Sequence, residues 1–284
     1  MERIQSAIAK ARATRETGAQ GAESQAAGSQ TRVRAQIPAT PEGADMTVAG
    51  NWAALQEFSP DLRRLEQQRI YPGSGGSLAS AFDVLRTRVL QQMQANNWHR
   101  LAITSPTTGC GKSTVALNLA FSLARQPERR VLLAELDLRR PSLRGILGLR
   151  DEVDFAAVLD GRSEFSACAR RYGPNLAVAC NSRPGKSPSE LLQSSTVPAV
   201  LAQIEADYAP EIMIFDEPPM MAGDDVLAFT AHVDAVLIVA AAESTTIRQI
   251  DLCERELAQQ TNIIGVVLNK CRYDADVHDY AYNY

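Results

Sequence analysis

The stretch Thr104-Ser-Pro-Thr-Thr-Gly-Cys-Gly-Lys-Ser-Thr114 (TSPTTGCGKST) places Gly111, Lys112 and Ser113 as they stand at the end of a nucleotide-binding loop. That loop normally opens with a glycine five residues before the last one, and here the position is Pro106. Context decides the reading. LAITS (101–105) is an apolar strand, the Gly109–Gly111 turn follows it, and KSTVALNLAFSLAR (112–125) begins a helix with apolar periodicity. Phosphate binding requires backbone N–H groups converging at a helix N-terminus, where the helix dipole also favours negative charge. Glycines at 109 and 111 allow a close approach that a Cβ would obstruct. In that arrangement Thr108, Gly109, Cys110 and Gly111 cradle the phosphates of ATP, and Lys112 reaches the β- and γ-phosphates. Ser113 ligates Mg²⁺ and Thr114 contacts the α-phosphate. Proline at 106 removes some conformational freedom but none of these contacts.

Working outward, short runs rich in Val, Ile and Leu alternate with helical patterns. Beyond LAITS they are VLLAELD (131–137), LAVAC (176–180), IMIFD (212–216), AVLIVAA (235–241) and IIGVVLN (263–269). Runs apolar on both faces are what a parallel sheet covered by helices on both sides requires. The alternation predicts an α/β fold of the P-loop NTPase type: a doubly wound, mostly parallel sheet with its ligand at the carboxyl ends of the strands. Two strand ends carry acid. In IMIFDEPP the apolar run ends on Asp216, where a carboxylate holds the magnesium ion. VLLAELD ends on Glu135 and Asp137, one residue apart, which in an extended strand share a face and point into one site. A lone acid at a strand end is ordinarily a turn or helix cap; three of them at two strand ends beside a phosphate loop indicate a Mg-ATP site.

The rest of the chain bounds the answer. Its 284 residues, 45% hydrophobic and 22% charged, have the balance of a globular protein, and a net charge of −4 argues against a nucleic-acid partner. No apolar run approaches the ~18 residues needed to span a bilayer. Cys110, Cys168, Cys180, Cys253 and Cys271 show no paired spacing, so neither zinc nor a disulfide framework is expected and a reducing cytoplasm is the default. Residues 1–77 read as a mostly disordered extension, poor in large apolar residues over 13–50. It opens with a short basic amphipathic helix (Met1, Ile4, Ile8 and Ala11 on one face), and YPGSGGS (71–77) reads as a joint. Residues 78–270 form the ATP-binding domain, starting with a helix that buries Leu78, Phe82, Leu85, Val89 and Met93. Residues 271–284 form a flexible tail holding Tyr273, Tyr280, Tyr282 and Tyr284.

These motifs, in this order, resemble the bacterial tyrosine kinases of capsule and exopolysaccharide systems. The resemblance covers roughly residues 78–284: the variant loop TSPxxGxGKST, the strand running into DLRRP (137–141), Asp-x-Pro-Pro at 216–219, SPSELL (187–192), GVVLNK (265–270) and the terminal tyrosines. It implies an ATP- and Mg²⁺-dependent autokinase, with Lys112, Glu135, Asp137 and Asp216 catalytic and Ser113, Asp137 and Asp216 at the metal. Glu135 stands where the family has an aspartate thought to orient or deprotonate the acceptor. The four tail tyrosines would be the phosphoacceptors, modified in trans through self-association. The resemblance further implies a transmembrane polysaccharide co-polymerase as recruiter and activator, a tyrosine phosphatase as counterpart, and a peripheral place at the inner face of the cytoplasmic membrane. The family's ring-forming Glu-x-x-Arg-x-x-Arg helix reads Ser80, Asp83 and Arg86 here, matching only at the last. Two other readings share the fold: a partition- or septum-site-like positioning ATPase, which would carry a signature lysine where this chain has Thr107, and a non-catalytic ATP-binding scaffold. Asn269, at a strand end, is a candidate contact for adenine.

Overall fold

Each of the six apolar runs forms a strand in the computed structural model, which describes residues 42–73 and 77–271. Two short polar strands join them. In chain order the strands are β1 (Gln56–Glu57), β2 (Arg100–Ser105), β3 (Val131–Glu135), β4 (Arg170–Tyr172), β5 (Leu176–Ala179), β6 (Ile212–Pro219), β7 (Ala235–Ala241) and β8 (Asn262–Asn269). They make one sheet in the order β1-β4-β5-β3-β6-β2-β7-β8. All neighbours run parallel except β4 and β5, a hairpin turned at Gly173. Every residue of β3, β6 and β7 is buried, so those strands are covered on both faces, as their unbroken apolar sequences require. β1 and β4 escape sequence reading because two or three residues beginning with Gln or Arg carry no hydrophobic period.

The predicted N-terminal boundary at residue 78 needs correction. Residues 42–73 belong to the folded body. A helix spans Glu42–Ala54, and its Trp52 is buried, donates its indole N–H to Tyr208 O (2.6 Å) and meets the Tyr208 ring edge-on. Leu55, Leu65 and Ile70 are also buried in the common core. The segment then straps onto the phosphate-loop helix Lys112–Ala124 through Asn118. That side chain accepts from Tyr71 N (2.8 Å) and donates to Arg69 O (2.9 Å) and Thr114 O (2.8 Å). Low average hydrophobicity concealed this, because a few large apolar residues spread along a polar stretch are enough to anchor it once a partner surface exists. The basic helix read at the N-terminus and the tyrosine tail lie outside the described residues.

The helix Ser77–Asn96 buries Val89 and Met93 as its period predicts. Two of its polar residues are committed within the chain. Asp83 pairs with Arg125 and accepts from Ser122 Oγ (2.8 Å), while Arg86 donates to Ser122 O (3.1 Å). Two of the positions aligned with the family's ring motif thus tie this helix to the phosphate-loop helix.

Candidate nucleotide site

The loop between β2 and the Lys112–Ala124 helix turns through Gly109 (φ 81°) and Gly111 (φ 91°), both in the left-handed region that favours glycine. Gly111 caps the helix and has no side chain to satisfy its first amides, so those N–H groups face the loop's concavity. Asn269, at the end of β8, donates Nδ2 to Cys110 O (2.9 Å). The carboxamide proposed from sequence for adenine therefore braces the loop. A Cβ at position 111 would come within 2.3 Å of that same nitrogen. Gly111→Ala should accordingly cost about 1–3 kcal/mol in strain and abolish detectable binding of a fluorescent ATP analogue; retained affinity would show that the loop is not the cradle.

Pro106 has a place of its own. Its carbonyl accepts from Met221 N (3.1 Å), fastening the start of the loop to the segment after β6, while Thr104 Oγ1 donates to Pro218 O (2.7 Å). The phosphate loop and the Asp-x-Pro-Pro strand end are thus joined on both sides of Ser105. Cys110 is buried, its Sγ between Thr245 Oγ1 (3.5 Å) and Thr107 Oγ1 (3.6 Å). Burial raises its pKa, but these hydroxyls and neighbouring amides outweigh that and leave it below the ordinary thiol value.

Lys112 reaches back over the loop to an acid from each strand: Asp137, just past the end of β3, and Asp216, inside β6, which runs on to Pro219 rather than ending at the acid as its apolar run suggests. Its Nζ lies 2.9 Å from Asp137 Oδ2 and 3.6 Å from Asp216 Oδ1, with Ser113 Oγ at 3.5 Å. Burial works against the ammonium charge, yet Asp216 and Asp137 prevail and raise its pKa. Asp216 is fully buried, and among the described residues neither of its carboxylate oxygens has a hydrogen-bond partner. Burial raises its pKa, with Lys112 and Ser113 partly offsetting the effect. An orphaned buried carboxylate beside a lysine and a serine hydroxyl is a donor set that fits a hard cation such as Mg²⁺. The residues Thr108, Gly109, Cys110, Gly111, Lys112, Ser113 and Thr114 form the loop and first helical turn around that point.

Glu135 does not join them. The strand predicted through residue 137 stops at Glu135, where Leu136 N and Asp137 N both donate to Asp216 O (2.9 and 3.0 Å) and turn the chain. Asp137 is swung toward Lys112, and Glu135 no longer shares its face. The Glu135 carboxylate is fully buried and accepts from the amides of Ser142, Leu143 (2.7 Å) and Asn181 (2.9 Å). Burial, only partly countered by those amides, pushes its pKa up to about 7. It anchors the loop 136–143. Glu135→Gln keeps the shape but sets an amide N–H against one of these donors, a loss of roughly 1–3 kcal/mol measurable by urea unfolding. An unchanged midpoint would count against the anchor.

Sequence reasoning also missed how DLRRP is held. Arg139 donates to both carboxylate oxygens of the buried Asp225 (2.6 and 3.0 Å), and Ser189 Oγ, inside SPSELL, donates to Asp225 Oδ1 (2.6 Å). The acidic pair Asp224-Asp225 carried no signal beyond ordinary surface charge until the fold placed it opposite Arg139.

Residues 101–282 match the family model described as the CobQ/CobB/MinD/ParA nucleotide binding domain. The chain is 28% identical over 227 residues to the tyrosine-protein kinase wzc of Salmonella typhi, covering 78% of this chain and 31% of that protein. It therefore spans about a third of the length of that relative. The kinase domain of the Escherichia coli tyrosine kinase ETK superposes with a TM-score of 0.62 at 27% identity, over 73% of this chain and 81% of that structure. The septum site-determining protein MinD of Pyrococcus horikoshii, solved with Mg-ADP, shares the fold (TM-score 0.50, 19% identity, 60% and 69% covered). Among the described residues no helix is long and apolar enough to cross a membrane.

Proposed function

Because this chain belongs to the CobQ/CobB/MinD/ParA nucleotide-binding family, we propose that it binds Mg-ATP and acts as a protein-tyrosine autokinase on its own C-terminal tyrosines. The observation carrying the nucleotide half is the Lys112–Asp137–Asp216 cluster at the mouth of a glycine-capped helix. The kinase half rests on the similarity to tyrosine-protein kinases over most of the chain. ATP supplies the γ-phosphoryl group and Mg²⁺ neutralises its oxygens. Lys112 balances charge on the β- and γ-phosphates, and Ser113, Asp137 and Asp216 hold the ion. The amides of Thr108 to Thr114 orient the polyphosphate, so catalysis is positioning plus charge stabilisation, without a covalent protein intermediate. Glu135 acts one step removed, by fixing the loop that presents Asp137. Tyr273, Tyr280, Tyr282 and Tyr284 are the proposed acceptors, their phenols interspersed with Asp274, Asp276 and Asp279.

By the same similarity we place the protein in control of exopolysaccharide or capsule polymerisation and export. A membrane-spanning co-polymerase would recruit and activate it at the inner face of the cytoplasmic membrane, and a tyrosine phosphatase would reverse the modification. Mass spectrometry of the Tyr273–Tyr284 peptide from native cells, wild type against Lys112→Met, tests the proposal. Phosphotyrosine that vanishes with Lys112 is expected. An unmodified tail in both, with ATP binding intact, would favour a nucleotide switch instead.

A further inference from the structure

β8 is the last strand of the sheet, so among the described residues its outer edge has no partner strand. Its sequence, Asn-Ile-Ile-Gly-Val-Val-Leu-Asn (262–269), holds neither a charge nor a proline, the residues that usually keep such an edge from pairing. Val266 is 45% and Leu268 61% exposed, so two large apolar side chains on one face of the strand stand in water. Val267, which alternates with them, lines a groove of about 410 Å³ between β8 and the helix Ser77–Asn96. Val84, Leu85, Arg88, Gln92 and Gly265 line it as well. Arg88 is exposed there, and among the described residues it enters no ion pair.

One hydrogen bond tells which backbone groups of this edge are open. Asn269 O accepts from Ala242 N (2.8 Å), just past β7. Alternation therefore turns the backbone of Asn269 and Val267 toward β7, and that of Leu268 and Val266 outward. Leu268 O is met on that side by Cys271 Sγ at 3.6 Å. The chain thus bends back toward the open edge as it leaves β8, and Lys270 stands in the left-handed region (φ 62°) used in tight reversals.

The sequence that follows has the period of a strand. Tyr273, Ala275 and Val277 alternate with Asp274, Asp276 and His278. A four-residue reversal over 269–272 sets Tyr273 opposite Leu268 and Ala275 opposite Val266. Opposed residues of an antiparallel pair share a face, so the phenol ring and the methyl group cover the exposed Leu268 and Val266. Asp274 and Asp276 then stand opposite Val267 and Gly265, on the groove side with Arg88. A single register answers the open backbone, the apolar surface and the free cation. The short tether also favours this segment over any separate chain, since it holds the strand at an effective concentration of about millimolar.

We infer that residues 273–276 pair in cis, as an antiparallel strand, with the outer edge of β8. Tyr273 N and Ala275 N donate to Leu268 O and Val266 O, and Leu268 N and Val266 N donate in return. This pairing does not depend on the autokinase reading and goes beyond it. Under that reading the strand withholds Tyr273 from phosphoryl transfer until it is released, whereas Tyr280, Tyr282 and Tyr284 lie past the pairing.

The test is amide hydrogen exchange of the full chain, followed by NMR and corrected for intrinsic rates. The amides of Tyr273 and Ala275 are expected to exchange at least about tenfold more slowly than those of Asp274 and Asp276, because only the first pair is bonded. Ala275→Pro removes one donor and should release Tyr273, Val266 and Leu268 together, while the amides of β2 and β3 keep their wild-type rates and show that the fold is intact. Arg88→Glu should reduce the slowing about twofold to fivefold, and Asp274→Lys/Asp276→Lys in the same chain should restore it. Uniformly fast exchange across 273–276, or slowing untouched by Ala275→Pro, overturns the inference. Slowing that increases with protein concentration would assign the edge to a second copy and overturn it too. Alternating protection in a chain that gains no phosphate on any tail tyrosine with Mg-ATP would count against the kinase reading and leave the paired strand standing.

Discussion

Asp216→Asn is expected to lower tail phosphorylation roughly a thousand-fold while leaving the unliganded protein at least as stable as wild type. The two effects have one cause. Asp216 sits fully buried within the C-terminal half of β6, its oxygens without hydrogen-bond partners, and burial raises its pKa. A carboxyl whose folded pKa lies above its unfolded value contributes stability that is complete at low pH and lost as pH rises through the folded pKa. Ionised Asp216 is therefore an unfavourable buried charge in the native state, only partly relieved by Lys112 at 3.6 Å. Asparagine removes that charge while Lys112 keeps its closer partner Asp137 at 2.9 Å. A gain of about 1 kcal/mol or more in urea unfolding is expected, with its advantage growing as pH increases above the acid range. Mg-dependent nucleotide binding should weaken in the same protein. A variant that loses stability would mean that Asp216 serves the fold rather than a cation.

The second large effect concerns the N-terminal boundary. A truncation beginning at residue 78, the domain start suggested by sequence, should fail to fold as a stable monomer. It removes Trp52, Leu55, Leu65 and Ile70, all buried in the common core. Each contributes about 1.5–3 kcal/mol through its buried apolar surface, or roughly 6–12 kcal/mol together. That is comparable with the whole ~5–15 kcal/mol stability of a typical domain. Further losses fall on the site itself. Asn118 would be left without Arg69 and Tyr71, and it holds Thr114 O at the first turn of the phosphate-loop helix. Thermal melting and ATP-analogue binding of the 78–284 fragment against the full chain decide the matter. A fragment that melts cooperatively near the full-length temperature would show the strap to be dispensable. Single replacements Trp52→Ala and Ile70→Ala, each expected to cost about 2–5 kcal/mol, guard against reading poor expression as instability.

The fold class, the six apolar strands and the phosphate loop are legible in the order of residues alone. Those features are written in local order: unbroken apolar runs, glycines where φ is positive, and a lysine at a helix start need no distant partner to be recognised. Asp216 was legible for the same reason, as an acid ending an apolar run. Tertiary structure alone decided where each acid points. Glu135 and Asp137 were expected on one face of an extended strand, but the carbonyl of Asp216, on the neighbouring β6, captures two successive amides and ends β3 between them. One carboxylate is thereby turned inward to hold Ser142, Leu143 and Asn181, and the other outward to Lys112. The partners of Arg139 and Asn118, and the inclusion of residues 42–73 in the core, likewise depend on surfaces brought together from far along the chain. Period and propensity report on a residue's near neighbours, whereas the direction of a buried polar side chain is set by whichever distant donor the fold places within about 3 Å.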